Sequence, residues 1–259
     1  MLGGGVWLSQ NKKIPGSYIN FISKATANAS LGDRGVVGIP LVMNWGADGE
    51  IIEVTQGDFI KNSLKIFGYD YGAEELKGLR DLFKYTRVAY IYKLNSTTGN
   101  TGKATNTFAT ALHSGTCGNM LSIRIAKNVD DNTKYDVTTL YDGIEMDVQT
   151  VETAAGLVPN DFVTFKTDAT LAVTAGLALS GGTTASVTAN NHQTFLDKIE
   201  SYSVNAVGVV NDESVGAGGI ANLNALYAAW VQRMRDELGI KLQVVLYNYD
   251  ADYEGVVKV

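Results

Sequence analysis

Along the chain the spacing of apolar positions changes twice, and the two changes divide it. Val36 to Met43 is a continuous apolar run, the pattern of a strand buried on both faces. Ile51 to Val54 follows a turn at Gly46 to Gly49 and reads as a second short strand. Thr55 is placed to cap a helix from Gln56, with Asp58 in its first turn and Phe59, Ile60, Ser63, Leu64 and Phe67 at helical spacing. A second helix over about Glu74 to Phe83 gathers Leu76, Leu79, Leu82 and Phe83 on one side. Arg87 to Leu94 alternates like a strand, so Val36 to Leu94 has β-α-β character.

The period changes at Asn95. Asn95 to Thr107 is dominated by Ser, Thr, Asn and Gly, a loop or linker composition. Beyond it the pattern is strand and turn: Leu121 to Ala126, Lys134 to Tyr141, Gly143 to Val151 and Phe162 to Lys166, with Leu171 to Thr188 resembling a hairpin. Helical spacing then returns. Thr194 is a candidate cap for a helix carrying Phe195, Leu196 and Ile199, and Val204 to Val210 reads as a buried strand. Ile220 to Leu238 is the strongest helix, with Leu223, Leu226, Tyr227, Trp230, Val231 and Met234 on one face and Gly239 as its stop. Leu242 to Tyr247 is another buried strand. The expected fold is an α/β core interrupted by an inserted β-rich domain, preceded by an N-terminal extended arm. The expected boundaries are 1–22 for the arm, 23–95 and 191–259 for the discontinuous α/β domain, and 96–190 for the insertion.

The N-terminal stretch belongs to no core. Gly3 to Gly5 resist regular structure, Val6-Trp7-Leu8 is too short to bury itself, and Tyr18 to Ile22 suits an extended strand. Such a segment is either frayed or tied to a sheet, its own or that of another subunit. Composition narrows the function classes. The 259 residues are 45% hydrophobic and 19% charged, enough for a sizeable core. A net charge of −6 without clustered Lys and Arg argues against nucleic acid as a partner. No apolar run has the length of a membrane span, and the N-terminus lacks a secretory layout, which opposes a surface adhesin built on the Thr-rich region. One cysteine, Cys117, excludes an internal disulfide.

Motifs for chemistry are weak. Gly216-Ala217-Gly218-Gly219-Ile220-Ala221 fits a dinucleotide fingerprint between strand and helix, and it carries the alternative reading, a nucleotide-binding α/β enzyme. Against it, Asn211 to Val215 intervene where a tight turn is needed, and Asp236 and Glu237 sit at a helix end. Gly102-Lys103 is no phosphate loop, because Thr97 stands at the first glycine and Ala104 at the hydroxyl position. Asp130-Asp131-Asn132 has Tyr135 and Tyr141 where a calcium loop requires Gly and Glu. His113 and Cys117 lie four apart without a second pair to complete a zinc site, and read as a surface histidine and a buried thiol. With His192 the only other histidine, no serine triad is supported. The expectation is no catalysis, no cofactor and no metal.

A resemblance sharpens this reading. In order and spacing, Trp7, Gln10-Asn11-Lys12, Pro15-Gly16, Tyr18, Asn20-Phe21, Arg34-Gly35 and Trp45-Gly46 resemble the start of contractile phage tail sheath proteins. The likeness is to the type from Gram-positive phages, defective prophages and R-type bacteriocins, and it continues more loosely along the chain. The resemblance implies a structural subunit made in the bacterial cytoplasm and carried in a virion tail or bacteriocin particle. It would polymerise helically around the tail tube and contract to drive the tube through the target envelope. It implies other copies of itself, the tail tube protein and the baseplate as partners, and no membrane. It also implies strand exchange between neighbours, with Val6, Trp7, Tyr18, Ile19 and Phe21 as the interface arm. Such proteins carry a further tube-facing α/β domain, so this chain is expected to be a truncated form, monomeric or weakly associated in solution.

Overall fold

The computed structural model of the protein describes residues 35–209 and 216–259. In chain order the elements are β1 (Val36–Leu41), β2 (Ile51–Thr55), α1 (Gln56–Phe67), α2 (Lys77–Leu82) and β3 (Val88–Lys93). Six strands follow: β4 (Ala109–Ala111), β5 (Leu121–Lys127), β6 (Tyr135–Tyr141), β7 (Ile144–Val151), β8 (Val163–Phe165) and β9 (Thr174–Ala178). The chain then runs through α3 (Ala189–Ile199), β10 (Ala206–Gly208), α4 (Gly216–Asp236), β11 (Gln243–Leu246) and β12 (Val256–Lys258).

The α/β layer is a six-stranded sheet of order β12-β11-β10-β1-β3-β2. All its pairings are parallel except β2 with β3, which are antiparallel. The apolar run of β1 lies at the centre because both of its faces find cover. On one face Val36, Val88, Val207 and Val244 pack against Phe195 and Leu196 of α3 and Tyr227, Trp230 and Met234 of α4. On the other, Ala89 and Ile91 meet Phe59 and Phe67 of α1, with Leu79 of α2 and the neighbouring Phe83. Parallel sheets need this double cover. The cover is incomplete, however: Ala206, Gly208, Val245 and Val257 face the α1/α2 side and remain half-exposed. None of them joins the cluster built on α1 and α2.

The β layers lie between β3 and α3 in sequence. A four-stranded antiparallel sheet of order β7-β6-β5-β9 faces a β4–β8 pair. Their core holds Leu121, Ile123, Ile125, Phe162, Val163 and Leu179. One of its members comes from outside these strands: Trp45, in the loop between β1 and β2.

Local chemistry explains the elements and corrects several expectations. Thr55 caps α1 in a full capping box with Asp58, and Gly68 ends the helix at φ +76°. The cap of α3 is Thr188, not Thr194, because Asn191 at the third helical position returns the bond to the Thr188 amide. Thr194 lies inside the helix and donates to the Asn190 carbonyl. The stretch Glu74 to Phe83 begins as a 3-10 turn and becomes α-helical only from Lys77, since no side chain caps its start. Leu171 to Thr188 is not a hairpin. It supplies the single strand β9, which adds to the edge of β5.

Candidate functional site

Two features can carry mechanical or assembly work: the seam between the α/β and β layers, and the β12 edge of the large sheet, which no described strand pairs on its outer side. The seam is built on the β1–β2 loop, which leaves the α/β sheet and enters the other core. Trp45 is fully buried there. Its ring meets His113 edge-on at 5.0 Å and Phe162 at 6.4 Å. Its indole N–H donates to the Lys65 carbonyl at 2.9 Å, one of the last carbonyls of α1, which lack a partner within the helix. Tyr141 does the same for the helix cap from the other side, its hydroxyl donating to the Gly68 carbonyl at 2.5 Å. The end of α1 is thus closed by side chains of the seam.

Around Trp45 the backbone is read by side chains. Asn95 pairs with Met43 as a strand would, donating to its carbonyl and accepting from its amide, both at 2.8 Å. The Cys117 amide donates to the Asn44 carbonyl at 3.2 Å, and the Thr184 hydroxyl donates to the Asn44 side chain at 2.9 Å. The approach is close enough to demand glycine at residue 115. Its φ is +126°, and a Cβ there would lie 2.0 Å from the Asn44 carbonyl oxygen.

A charge sits inside this seam. Lys93, the last residue of β3, is buried, and its ammonium donates to the Ser114 carbonyl and hydroxyl, each at 2.7 Å, and to the Gly46 carbonyl at 3.3 Å. Asp48 stands 3.0 Å from the same nitrogen. Asp48 also accepts the Ser114 hydroxyl at 2.6 Å, the Ser114 amide at 3.0 Å and the Thr97 amide at 3.2 Å. Burial alone would raise the Asp48 carboxyl. The two Ser114 donors and Lys93 outweigh it and hold the group below its ordinary range. Burial lowers Lys93 against the opposing pull of Asp48. His113 next to it is brought down to about 4, by burial first and by the Lys93 charge second, so it is neutral at physiological pH. The expectation of a surface histidine is therefore wrong: His113 is half-buried on Trp45. Cys117 is buried, as its composition-based reading holds.

The sequence signals for chemistry come to little in the fold. Gly216 to Ala221 lies within α4 itself, so the glycines extend a helix where a phosphate loop would need a turn. His192 is buried, its Nδ1 2.9 Å from the Tyr227 hydroxyl. Asp130 and Asp131 occupy the β5–β6 turn, where the Asn128 side chain accepts both amides. No group of three metal-binding side chains occurs among the described residues. A mainly apolar concavity of about 620 Å³ lies between β1 and α2, with Ile39, Leu41, Phe67 and Leu79 among its walls.

The second feature is the sheet edge. β12 pairs on one side with β11, and no described strand pairs on the other. Tyr247 and Val259 beside it are exposed. An unpaired edge of this kind accepts an added strand. The five residues expected to form the interface arm, Val6, Trp7, Tyr18, Ile19 and Phe21, lie outside the described residues. No described helix is long and apolar enough to cross a membrane.

Comparison with known proteins gives these surfaces a context. A family model described as the phage tail sheath protein beta-sandwich domain matches residues 97–189. A second, the N-terminal region of domain III of tail sheath protein Gp18, matches residues 34–94. Two proteins of Bacillus subtilis (strain 168) are each 32% identical over the whole of this chain: YqbK, over 278 residues, and XkdK of the phage-like element PBSX, over 280 residues. The chain spans 58% of the length of these two relatives. Among solved structures, the sheath tail protein of Desulfitobacterium hafniense matches 94% of the chain at 37% identity with a TM-score of 0.76. That match covers 56% of the Desulfitobacterium chain.

Proposed function

Because this chain belongs to the phage tail sheath proteins, of the kind found in Gram-positive bacteria, we propose that it polymerises helically around a tail tube and contracts to drive that tube through a target envelope. A tail sheath subunit is a structural, self-assembling component of a virion tail. The proposal adds the manner of assembly and work. Residues 1–22 form an arm, with Val6, Trp7, Tyr18, Ile19 and Phe21 as its apolar contacts, and the arm adds as a strand to a neighbour's sheet. The tail tube and the baseplate are its further partners, and the particle is a phage tail, a defective prophage tail or an R-type bacteriocin.

The observation that supports this reading is that no described strand pairs with the outer side of β12, beside a sheet face half covered by the described residues. A strand added there keeps its backbone hydrogen bonds while the subunits it joins rotate. A contact that joins unlike surfaces of successive copies, without closing a ring, produces helical filaments. The rival nucleotide-enzyme reading gains no support from the placement of Gly216 to Ala221 inside α4. Negative-stain electron microscopy of the complete protein, with and without residues 1–22, tests the proposal. Tubes from the intact protein and none from the deleted form are expected, and equal assembly by both would refute the arm.

A further inference from the structure

The seam contains more polar machinery than burial of Trp45 requires. Lys93 and Asp48 both belong to the α/β layer, one at the end of β3 and the other in the β1–β2 loop. Ser114 belongs to the β layers, following β4. The two charged groups therefore close around one residue of the opposite body. The ammonium takes the Ser114 carbonyl and hydroxyl, and the carboxylate takes the Ser114 hydroxyl and amide. All the hydrogen-bonding capacity of one residue is held by a buried ion pair, with the Gly46 carbonyl as the remaining acceptor. Other titratable groups act on the pair: Lys103 lowers Lys93 and Cys117 opposes it, while His113, neutral at physiological pH, adds no charge to the seam.

An ion pair of this kind contributes little net stability, because desolvation offsets most of its attraction. Its directionality is another matter. Apolar contact around Trp45 tolerates small rotations, whereas hydrogen bonds fail steeply once angle and distance are lost. We propose that the Lys93–Asp48–Ser114 cluster is a latch that fixes the inserted β body in one orientation on the α/β body, so that the two move as one piece. The competing account is that burial of Trp45, with the bonds of Tyr141 to Gly68 and of Cys117 and Thr184 to Asn44, sets the orientation and the ion pair is merely accommodated.

The two accounts separate in a measurement of orientation. Tyr85 in the α/β body and Val129 in the β body are 90% and 92% exposed, so each accepts a spin label without disturbing a core. In a background with Cys117→Ser, labels at Tyr85→Cys and Val129→Cys report the distance between the bodies by double electron–electron resonance. With the latch intact, one narrow distance peak is expected. The double variant Lys93→Met, Asp48→Leu removes both charges together and leaves neither uncompensated. Under the proposal it folds and loses the single narrow peak. Ser114→Ala, which deletes only the shared hydroxyl, broadens the peak in the same direction and decides the matter if the double variant does not fold. An unchanged narrow peak in the folded variants overturns the latch.

Discussion

Replacing Trp45 with alanine strikes the point where the α/β layer enters the other core. The side chain is fully buried, so truncation removes the whole indole and leaves a cavity bounded by Phe162, His113 and the end of α1. Trp→Ala changes in cores cost about 3–5 kcal/mol through lost burial and cavity formation. The lost bond to the Lys65 carbonyl adds about 1 kcal/mol, since that carbonyl has no partner within its helix. Partial collapse of Phe162 into the space takes some of this back, leaving about 4 kcal/mol as the expected loss. Against a total stability of about 5–15 kcal/mol, this is enough to shift the urea midpoint strongly or to unfold a marginal protein. Trp45→Phe, which keeps most of the ring volume and loses the N–H, is expected to cost about half as much. Urea unfolding followed by far-UV circular dichroism measures both, and the folded baseline remains visible through the fluorescence of the buried Trp230. A loss below about 1 kcal/mol in Trp45→Ala would show that the seam does not depend on this ring.

Other predictions concern single elements of the same description. Thr55→Ala removes the capping box of α1 and should cost about 1 kcal/mol in the same urea assay. Gly115→Ala combines a positive φ with a clash on the Asn44 carbonyl and should cost well over about 2 kcal/mol, whereas Gly49→Ala, with φ +75° and open space around it, should cost about 1 kcal/mol. Stability should fall as pH drops from the ordinary histidine value of 6.5 towards 4, because the unfolded chain protonates His113 well before the folded one does. The loss should approach about 3 kcal/mol over that window, and His113→Gln should flatten the slope. Asp48 extends the decline below that window, its depressed folded value being lost as acid protonates the unfolded chain first.

What the sequence made legible was whatever depends on neighbours along the chain. Thr55 and Asp58 announce the start of α1 because a capping box spans only four consecutive residues. The apolar run at Val36 and the leucine-rich face of α4 are visible as periods, and the change of period at Asn95 falls two residues after β3 ends. Thr188 and Thr194 are equally good caps by composition, and only the Asn191 side chain, turned back to the Thr188 amide, separates them. β12 leaves no signal along the chain because three residues are too few to show alternation; its pairing with β11 defines it.

The seam was hidden for a deeper reason. Lys93 occupies a position that reads as the polar member of an alternating strand, and nothing near it in sequence reveals that Asp48 and Ser114 will enclose it. Trp45 reads as a turn residue beside Gly46, although it belongs to a core assembled from residues 104–179. His113 looks exposed in the sequence for the same reason: its burial comes from Trp45, far away in the chain. Long-range enclosure of polar residues leaves no periodic trace.

The central claim is that residues 1–22 tie one subunit to the next by adding a strand to its sheet. A cryo-electron microscopy reconstruction of the assembled complete protein tests it most directly. The account predicts density for Tyr18 to Ile22 as a strand on the sheet of a neighbouring subunit. Density showing that segment packed on its own subunit, or subunits joined without any shared sheet, would contradict it.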